Sequence, residues 1–551
     1  MAAEEREASR HGGGGGGGGG DRTEFFGSQV GGESVINYSY TDLPWKLVAY
    51  DIKYFFAFAW ALPWIVWPVR PCDGGHFDEL SFTADNIWCV SVHVVLFVLQ
   101  LLFLVSLPLA FLLPVYLFIA ALGLFFLVNG LLCRCLNGKT IMYESDPKYA
   151  PALVEHQHEQ WVFMNGVAVG EAWLKSNINR LALTFKRPIL GVHNRTTGII
   201  FDVVECLIQR NFGYATSDVR LAYKILKEKL YNPLYSKVVF ILHSQGGVEG
   251  GLVLDWLIQE LPQDLLAKLE VYTFGNAANH FNNPHRHVQS QEAEKKHPSA
   301  ITPVPEVMAD IPITDSPVSM RTPSLRGQLS NGSDLPPRNA DGPQPPEVVT
   351  NGNRAPLRRN YTIPTSDRVI GHVEHYAHTT DFVAIWGLLH FVTNERASVE
   401  MPRFIGRVFS RASSRGGHQF CQHYLNGMFP LSRNEEGEFI GCAEHNDFMD
   451  SAVEICKSGT EKENTREGLE NSLAMIKLAG DPDSAIPSEV GVYGSFYGSF
   501  HESLRGASIH SDDQDLFDGT VKVRHLSRLW QYRNGRSPAD LPQGLVRGIT
   551  V

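Results

Sequence analysis

The residues best suited to chemistry begin with Ser244, in the stretch VVFILHSQGGVEGG that runs from residue 238 to 251. An apolar run of strand type ends there, and two glycines open a run of helix type. Such a bend lifts a serine above the edge of a sheet, at the positive end of the following helix. Small residues must flank the bend, because strand and helix approach closely around it. Gly246 and Gly247 supply them on the helix side, whereas Leu242 stands where the signature G-x-S-x-G has its first glycine. A serine nucleophile also needs a base, and a carboxylate to orient that base. Asp381 in HTTDFVAIWG and His418 in GGHQFCQHYLNGMF follow Ser244 in that order, with His423 a rival for the base. Asp381 also suits the N-cap of the helix that FVAIWGLLHF predicts, and the two roles are compatible.

An acyl-transfer site further needs two N–H donors aimed at the developing oxyanion. One belongs to the residue after the nucleophile, here Gln245. The other comes from a loop after an early strand, and FMNGVAVG offers Val167 as donor, with Asn165 and Gly166 beside it at the pocket. Asn165 equally suits an ordinary turn before Gly166. The histidines of HVEHYAH (372–378) and EHQHEQ (155–160) lack the i,i+4 spacing of a helical metal motif. GVHNRTTGIIFD (191–202) lacks the phosphate-loop signature and reads as a pocket rim, with Asp202 starting a helix. No metal and no organic cofactor is implied.

These residues need a scaffold, and from about residue 150 the chain supplies one. EQWVFMNG, PILGVHN, KVVFILH, LEVYTFGNAAN and DRVIGHVEHYAH read as strands. GEAWLKSNINRLALTF, DVRLAYKILKEKLYN and GGLVLDWLIQELP read as helices between them. KVVFILH is continuously apolar, as a strand buried on both faces of a parallel sheet would be. The alternation predicts an α/β fold with a mostly parallel sheet over 150–285 and 365–456.

Ahead of it lies a membrane region, 46–140. Between Asp85 and Arg134 there is no Asp, Glu, Lys or Arg. A spanning helix needs about 20 apolar residues, so the run predicts a transmembrane hairpin with helices near 88–108 and 112–133. The Trp-rich, Pro-interrupted stretch 54–69 reads as an interfacial segment or a third span. Lys46, Lys53 and Arg70 before the hairpin, with Arg134 and Lys139 after it, place both flanks on the cytosolic side by the positive-inside rule. Residues 1–45 hold a run of nine glycines, 286–364 are rich in Pro, Ser and Asn, and 457–551 are polar and acidic. All three are expected to be largely disordered. The net charge of -11 argues against a nucleic-acid partner. Eight scattered cysteines give no disulfide framework, although Cys133 and Cys135 flanking Arg134 sit where S-acylation is chemically sensible.

The second half of the chain resembles the α/β-hydrolase superfamily, and its motifs resemble the fungal class 3 lipases. YTFGN (272–276) and HTTDFV (378–383) match that family's strand end and acid segment, and HQFCQHYL aligns His418 with its histidine and Tyr424 with the aromatic that follows. The resemblance covers about 155–430 and implies a serine ester hydrolase, with Ser244, Asp381 and His418 as its triad. Beside a membrane segment, a lipid or acyl-ester substrate is expected, and acyl transfer would use the same residues. Leu242, Asn165 and the two histidines leave a second expectation open, a non-catalytic membrane scaffold with disordered docking segments.

Overall fold

The computed structural model describes residues 22–26, 43–69, 72–284, 286, 368–393, 404, 406–413, 416–455 and 522–538. The glycine run, residues 287–364 of the expected insertion and most of 457–551 lie outside them. The strands are β1 (Arg22–Phe26), β2 (Met142–Glu144), β3 (Glu159–Met164), β4 (Ile189–Val192), β5 (Lys237–His243), β6 (Leu269–Phe274), β7 (His372–His378), β8 (Arg407–Arg411), β9 (Leu431–Arg433), β10 (Phe439–Cys442) and β11 (Ala452–Ile455). Nine of them form one sheet in the order β11-β1-β8-β7-β6-β5-β3-β4-β2. The six from β4 to β8 run parallel; β2 closes one side antiparallel, and on the other β1 pairs antiparallel with β8 and parallel with the edge strand β11.

Both faces of this sheet are covered. Along β5, Val239 and Ile241 join one apolar cluster while Val238, Phe240 and Leu242 join the other. This is why KVVFILH reads as an unbroken apolar run instead of an alternating one. The longer helices are α1 (Pro44–Ala57), α2 (Ala84–Ser106), α3 (Val115–Asn137), α4 (Glu171–Phe185), α5 (Ile199–Phe212), α6 (Ser217–Tyr231) and α7 (Gln245–Glu260). From β3 the chain steps outward to β4, then returns past β3 to β5. The order therefore reverses between β3 and β5, and the crevice beyond their carboxyl ends is where open α/β sheets hold ligands.

Helices α2 and α3 are the two that are long and apolar enough to cross a membrane among the described residues. Their limits differ from the expected ones for local reasons. Thr83 caps α2 by accepting from the Asn86 N–H, and Pro114 cannot sit inside α3, which then runs to Gly138 at φ +64°. The hairpin is not free of the α/β layer. Asn86, Cys89, Val92, His93, Leu96 and Gln100 form a buried stripe at helical spacing, answered on α3 by Phe125, Asn129, Cys133 and Leu136. Gln100 Nε2 donates to Asn129 Oδ1 (2.9 Å) and to the Thr197 carbonyl (2.8 Å), and the Ile200 N–H donates to Gln100 Oε1. Beyond this docked part, Leu101, Leu102, Val105, Leu109, Leu112, Val115 and Ile119 are exposed.

The stretch 54–69 does not form a third helix of spanning length. Residues 54–57 end α1, and Ala59–Ile65 form a 3-10 helix around Pro63. Asp51 pins α1 to the α/β layer, accepting from Arg210 Nη2 (3.0 Å) and Asn211 Nδ2 (2.7 Å). Removing either partner of such a buried pair would leave an uncompensated charge, so Asp51 and Arg210 fix where α1 meets the α/β layer. Trp45, Phe56, Trp60 and Trp67 remain exposed.

Two segments expected to lack order have structure. Arg22–Phe26 inserts between β8 and β11 and buries Phe25. Five residues beside a glycine run are too few to shift a compositional reading. In the tail, residues 522–538 carry short helices that bury Leu526, Leu529, Trp530 and Tyr532. Arg528 there reaches Glu270 at the start of β6 (2.8 Å), closing one face of the sheet. The apolar spacing of HLSRLWQY is helical, but the polar residues around it dilute the signal.

Candidate active site

Ser244 follows β5 directly and precedes α7, with φ 58° and ψ -123°. An L-residue held there stores roughly 1–3 kcal/mol of backbone strain, which persists only where the surroundings fix it. The Ser244 N–H donates to the Phe274 carbonyl, and the Ser244 carbonyl accepts from Gly247 and Ala277 N–H. The bend also needs room. A Cβ on Gly166 would lie 2.3 Å from Ser244 Cβ, and one on Gly246 would lie 2.8 and 2.9 Å from the Met164 and Asn165 carbonyl oxygens.

His418 stands between Ser244 and Asp381. Its Nε2 is 2.8 Å from Ser244 Oγ and its Nδ1 is 2.9 Å from Asp381 Oδ2. An ionised carboxylate only accepts, so Nδ1 carries the proton and Nε2 is left to accept the serine O–H. Asp381 is fully buried and doubly committed: Oδ1 accepts from the Val383 N–H, capping the next helix, and Oδ2 also accepts from Tyr424 O–H (2.7 Å). Burial pushes this carboxyl upward, but the His418 partner and the donated hydrogen bonds outweigh it and hold the carboxyl below its ordinary range. N-cap and triad-acid geometry thus coexist in one residue.

His423 is turned elsewhere. Its Nε2 donates to the Pro68 carbonyl and its Nδ1 accepts from the Gln419 N–H, both at 2.9 Å. With both nitrogens occupied, and burial depressing its pKa to about 4, it stays a neutral strut between the 64–69 segment and the His418 loop. The same loop is tied to Trp64 and Ile65, whose carbonyls accept from the His418 N–H and Gln419 Nε2.

Gln245 is the first residue of α7, where an N–H has no intrahelical acceptor. Val167 lies beside Ala168, whose own N–H is taken by Asp202 Oδ2 (3.0 Å). Asn165 is fully buried and acts as a tie: Nδ2 donates to the Gly166 and Asn194 carbonyls, and Oδ1 accepts from the Asn194 N–H. It holds the Gly166–Val167 loop instead of offering a donor to the crevice. Asp202, on the first turn of α5, also accepts from Thr196 and Thr197, so the 191–202 loop and the Val167 loop share one carboxylate. Two of the three histidines of HVEHYAH are engaged within the sheet, His372 with Glu374 and His375 with Thr273, and the buried His378 ring packs against the Tyr424 ring at 4.6 Å.

Three positioning residues escaped the sequence reading. His243 Nε2 donates to the His418 carbonyl at 2.8 Å, and its ring stacks on the His418 ring at 4.8 Å. Glu79, from the segment before the hairpin, accepts from the Cys421 and Gln422 N–H groups just after His418. Gly250 accommodates Leu242, since a Cβ there would lie 2.3 Å from Leu242 Cδ1. Only His243 left a trace in the sequence, as a polar residue interrupting an apolar strand beside Ser244.

The arrangement is able to draw a proton from Ser244 Oγ to His418 Nε2 while Asp381 steadies the resulting imidazolium. Ser244 is 2% exposed, so the hydroxyl is sheltered from bulk water. Compared with known proteins, the chain matches no family model, no curated protein and no solved structure.

Proposed function

We propose that the protein is a membrane-anchored serine hydrolase of the lipase or esterase type, with an α/β-hydrolase fold. The observation that carries this reading is the continuous hydrogen-bond chain Ser244–His418–Asp381 at the carboxyl end of β5. It sits at the point where the strand order reverses, and the strained Ser244 backbone is what a nucleophile on such a bend requires. Ser244 Oγ attacks the ester carbonyl carbon as its proton passes to His418 Nε2. The N–H groups of Gln245 and Val167 receive the oxyanion. Collapse breaks the ester C–O bond, and the leaving alkoxide takes the proton from His418. Water, or another acceptor hydroxyl, then repeats the sequence on the acyl-Ser244 ester.

Substrate class rests on location. The exposed apolar tip of the α2–α3 hairpin suits insertion into a bilayer, and exposed Trp45, Trp60 and Trp67 suit its interface. That arrangement holds the crevice near acyl chains and favours a lipid ester. The near-complete cover over Ser244 favours a second reading, an inactive scaffold of the same fold. Fluorophosphonate labelling of the full-length protein in detergent or vesicles separates the two. Labelling that disappears in Ser244→Ala is expected; folded wild-type protein that takes no label at Ser244 rules out the hydrolase.

A further inference from the structure

Away from Ser244, three carboxyl groups converge where α5, α6 and α7 meet. Glu205 comes from α5, Asp218 from the first turn of α6 and Glu249 from the second turn of α7. One oxygen of each lies within 4.8 Å of the other two. Among the described residues no Lys or Arg forms an ion pair with any of them. Arg195, whose field reaches Asp218, directs its Nη2 at the Lys139 and Thr140 carbonyls.

Glu249 makes the cluster more than a patch of surface acid. Its side chain is wholly buried, with Oε1 accepting from Gln209 Nε2 (3.1 Å) and Oε2 buried without any hydrogen-bond partner. A buried polar atom left unmatched is costly, and a buried carboxylate far more so. A cation set among the three would supply the missing partner and offset their mutual repulsion.

We propose that Glu205, Asp218 and Glu249 bind one divalent cation, with calcium preferred over magnesium. The donors are all oxygen, as both ions require. Three carboxylates contributed by three separate helices suit calcium's flexible, irregular coordination better than the near-ideal octahedron that magnesium demands. Glu205 and Asp218 are half-buried, which leaves one side open for water ligands.

The site is wired to the Ser244 bend. Gln209, which donates to Glu249, also accepts from Gln245 Nε2 (2.9 Å), and Gln245 Oε1 accepts from Asn194 Nδ2 (3.1 Å). An ion holding Glu249 and Glu205 therefore braces the start of α7, which carries the Gln245 N–H. This consequence for catalysis rests on the hydrolase reading; the binding itself does not.

The test uses full-length protein in detergent, stripped with chelator, then titrated calorimetrically with calcium and with magnesium. One calcium ion is expected to bind and to raise the thermal midpoint. Glu249→Gln weakens binding by about tenfold or more, while Glu260→Gln, at the far end of α7 beside Lys227, leaves it unchanged. Should Glu249→Gln not fold, Glu205→Gln at its half-buried position decides in its place. No calcium binding by the wild type, or undiminished binding by the folded variant, overturns the proposal. Fluorophosphonate labelling of the metal-stripped protein reads the hydrolase assignment separately.

Discussion

The isobutyl group of Leu242 lies over the bare α-carbon of Gly250, in the second turn of the helix that follows Ser244. In G-x-S-x-G the first glycine lets strand and helix close around the bend. Here the bulk sits on the strand and the vacancy has moved to the helix. The contact predicts a reversal of sign. Gly250→Ala alone overpacks a buried site and costs about 1–3 kcal/mol, against about 1 kcal/mol gained in helix propensity. Leu242→Ala alone leaves a cavity and costs about 2–5 kcal/mol. In the Leu242→Ala background, Gly250→Ala should become stabilising by about 0.5–1 kcal/mol. Denaturant unfolding of the two single variants and the double variant measures the coupling. Additive effects would mean that the two residues do not share this space.

The two histidines of the His418 loop should separate cleanly. His418→Ala removes the group between Ser244 and Asp381, and fluorophosphonate labelling should fall by about a thousandfold or more. His423→Ala removes a strut and leaves the Pro68 carbonyl and Gln419 N–H unmatched. That costs about 1–3 kcal/mol of stability and should leave labelling within about tenfold of wild type. Labelling lost with His423 and kept without His418 would exchange their roles.

Much of this was legible in the order of residues. The strands from Glu159 to His378 announce themselves because β3, β5 and β6 are buried on both faces and read as apolar runs. Ser244, Asp381 and His418 could be ordered because each stands at the end of such a run or in the loop beyond it. The choice between His418 and His423 was not legible. It depends on the Pro68 carbonyl, some 350 residues earlier in the chain, claiming one of them. Gly250 and Glu79 were hidden for a similar reason: each is explained only by a partner across a packed interface. The acid cluster escaped because Glu205, Asp218 and Glu249 share no sequence spacing that marks a ligand set. The hairpin was plain from hydropathy, but its docking on the α/β layer was not. Gln100 and Asn129 are single polar residues in long apolar runs, and their partners lie on another element.

His243 sets a pH dependence whose sign can be worked out. Burial, then the nearby His418, lowers its pKa from 6.5 to about 3. The unfolded chain therefore binds this proton more readily than the native one as acid is added. His243 contributes stability that is complete above pH 6.5 and is lost as pH falls from 6.5 toward 3, at up to about 1.4 kcal/mol per pH unit. In His243→Phe, the stability difference between pH 7 and pH 4.5 should shrink by about 2.5 kcal/mol. The same variant strips the donor from the His418 carbonyl, so labelling should slow even at pH 7. Denaturant midpoints at the two pH values check the first effect, and an unchanged difference would place the acid sensitivity elsewhere.

The docked hairpin gives the last prediction. Gln100 is fully buried and ties three partners at once: Asn129 on the other hairpin helix, the Thr197 carbonyl, and the Ile200 N–H at the start of α5. Gln100→Leu keeps the apolar character that membrane insertion needs but leaves the Ile200 N–H without its acceptor, at a cost of about 1–3 kcal/mol. Hydrogen exchange on the vesicle-bound protein should then show the Ile200 amide losing about 10–100-fold of its protection. The amides of β5, held in the middle of the sheet, should be unaffected. Because Asp202 links the 191–202 loop to the Val167 loop, labelling of Ser244 should slow as the start of α5 loosens. Unchanged exchange at Ile200 would show that apolar contact alone docks the hairpin, and that Gln100 is there for another purpose.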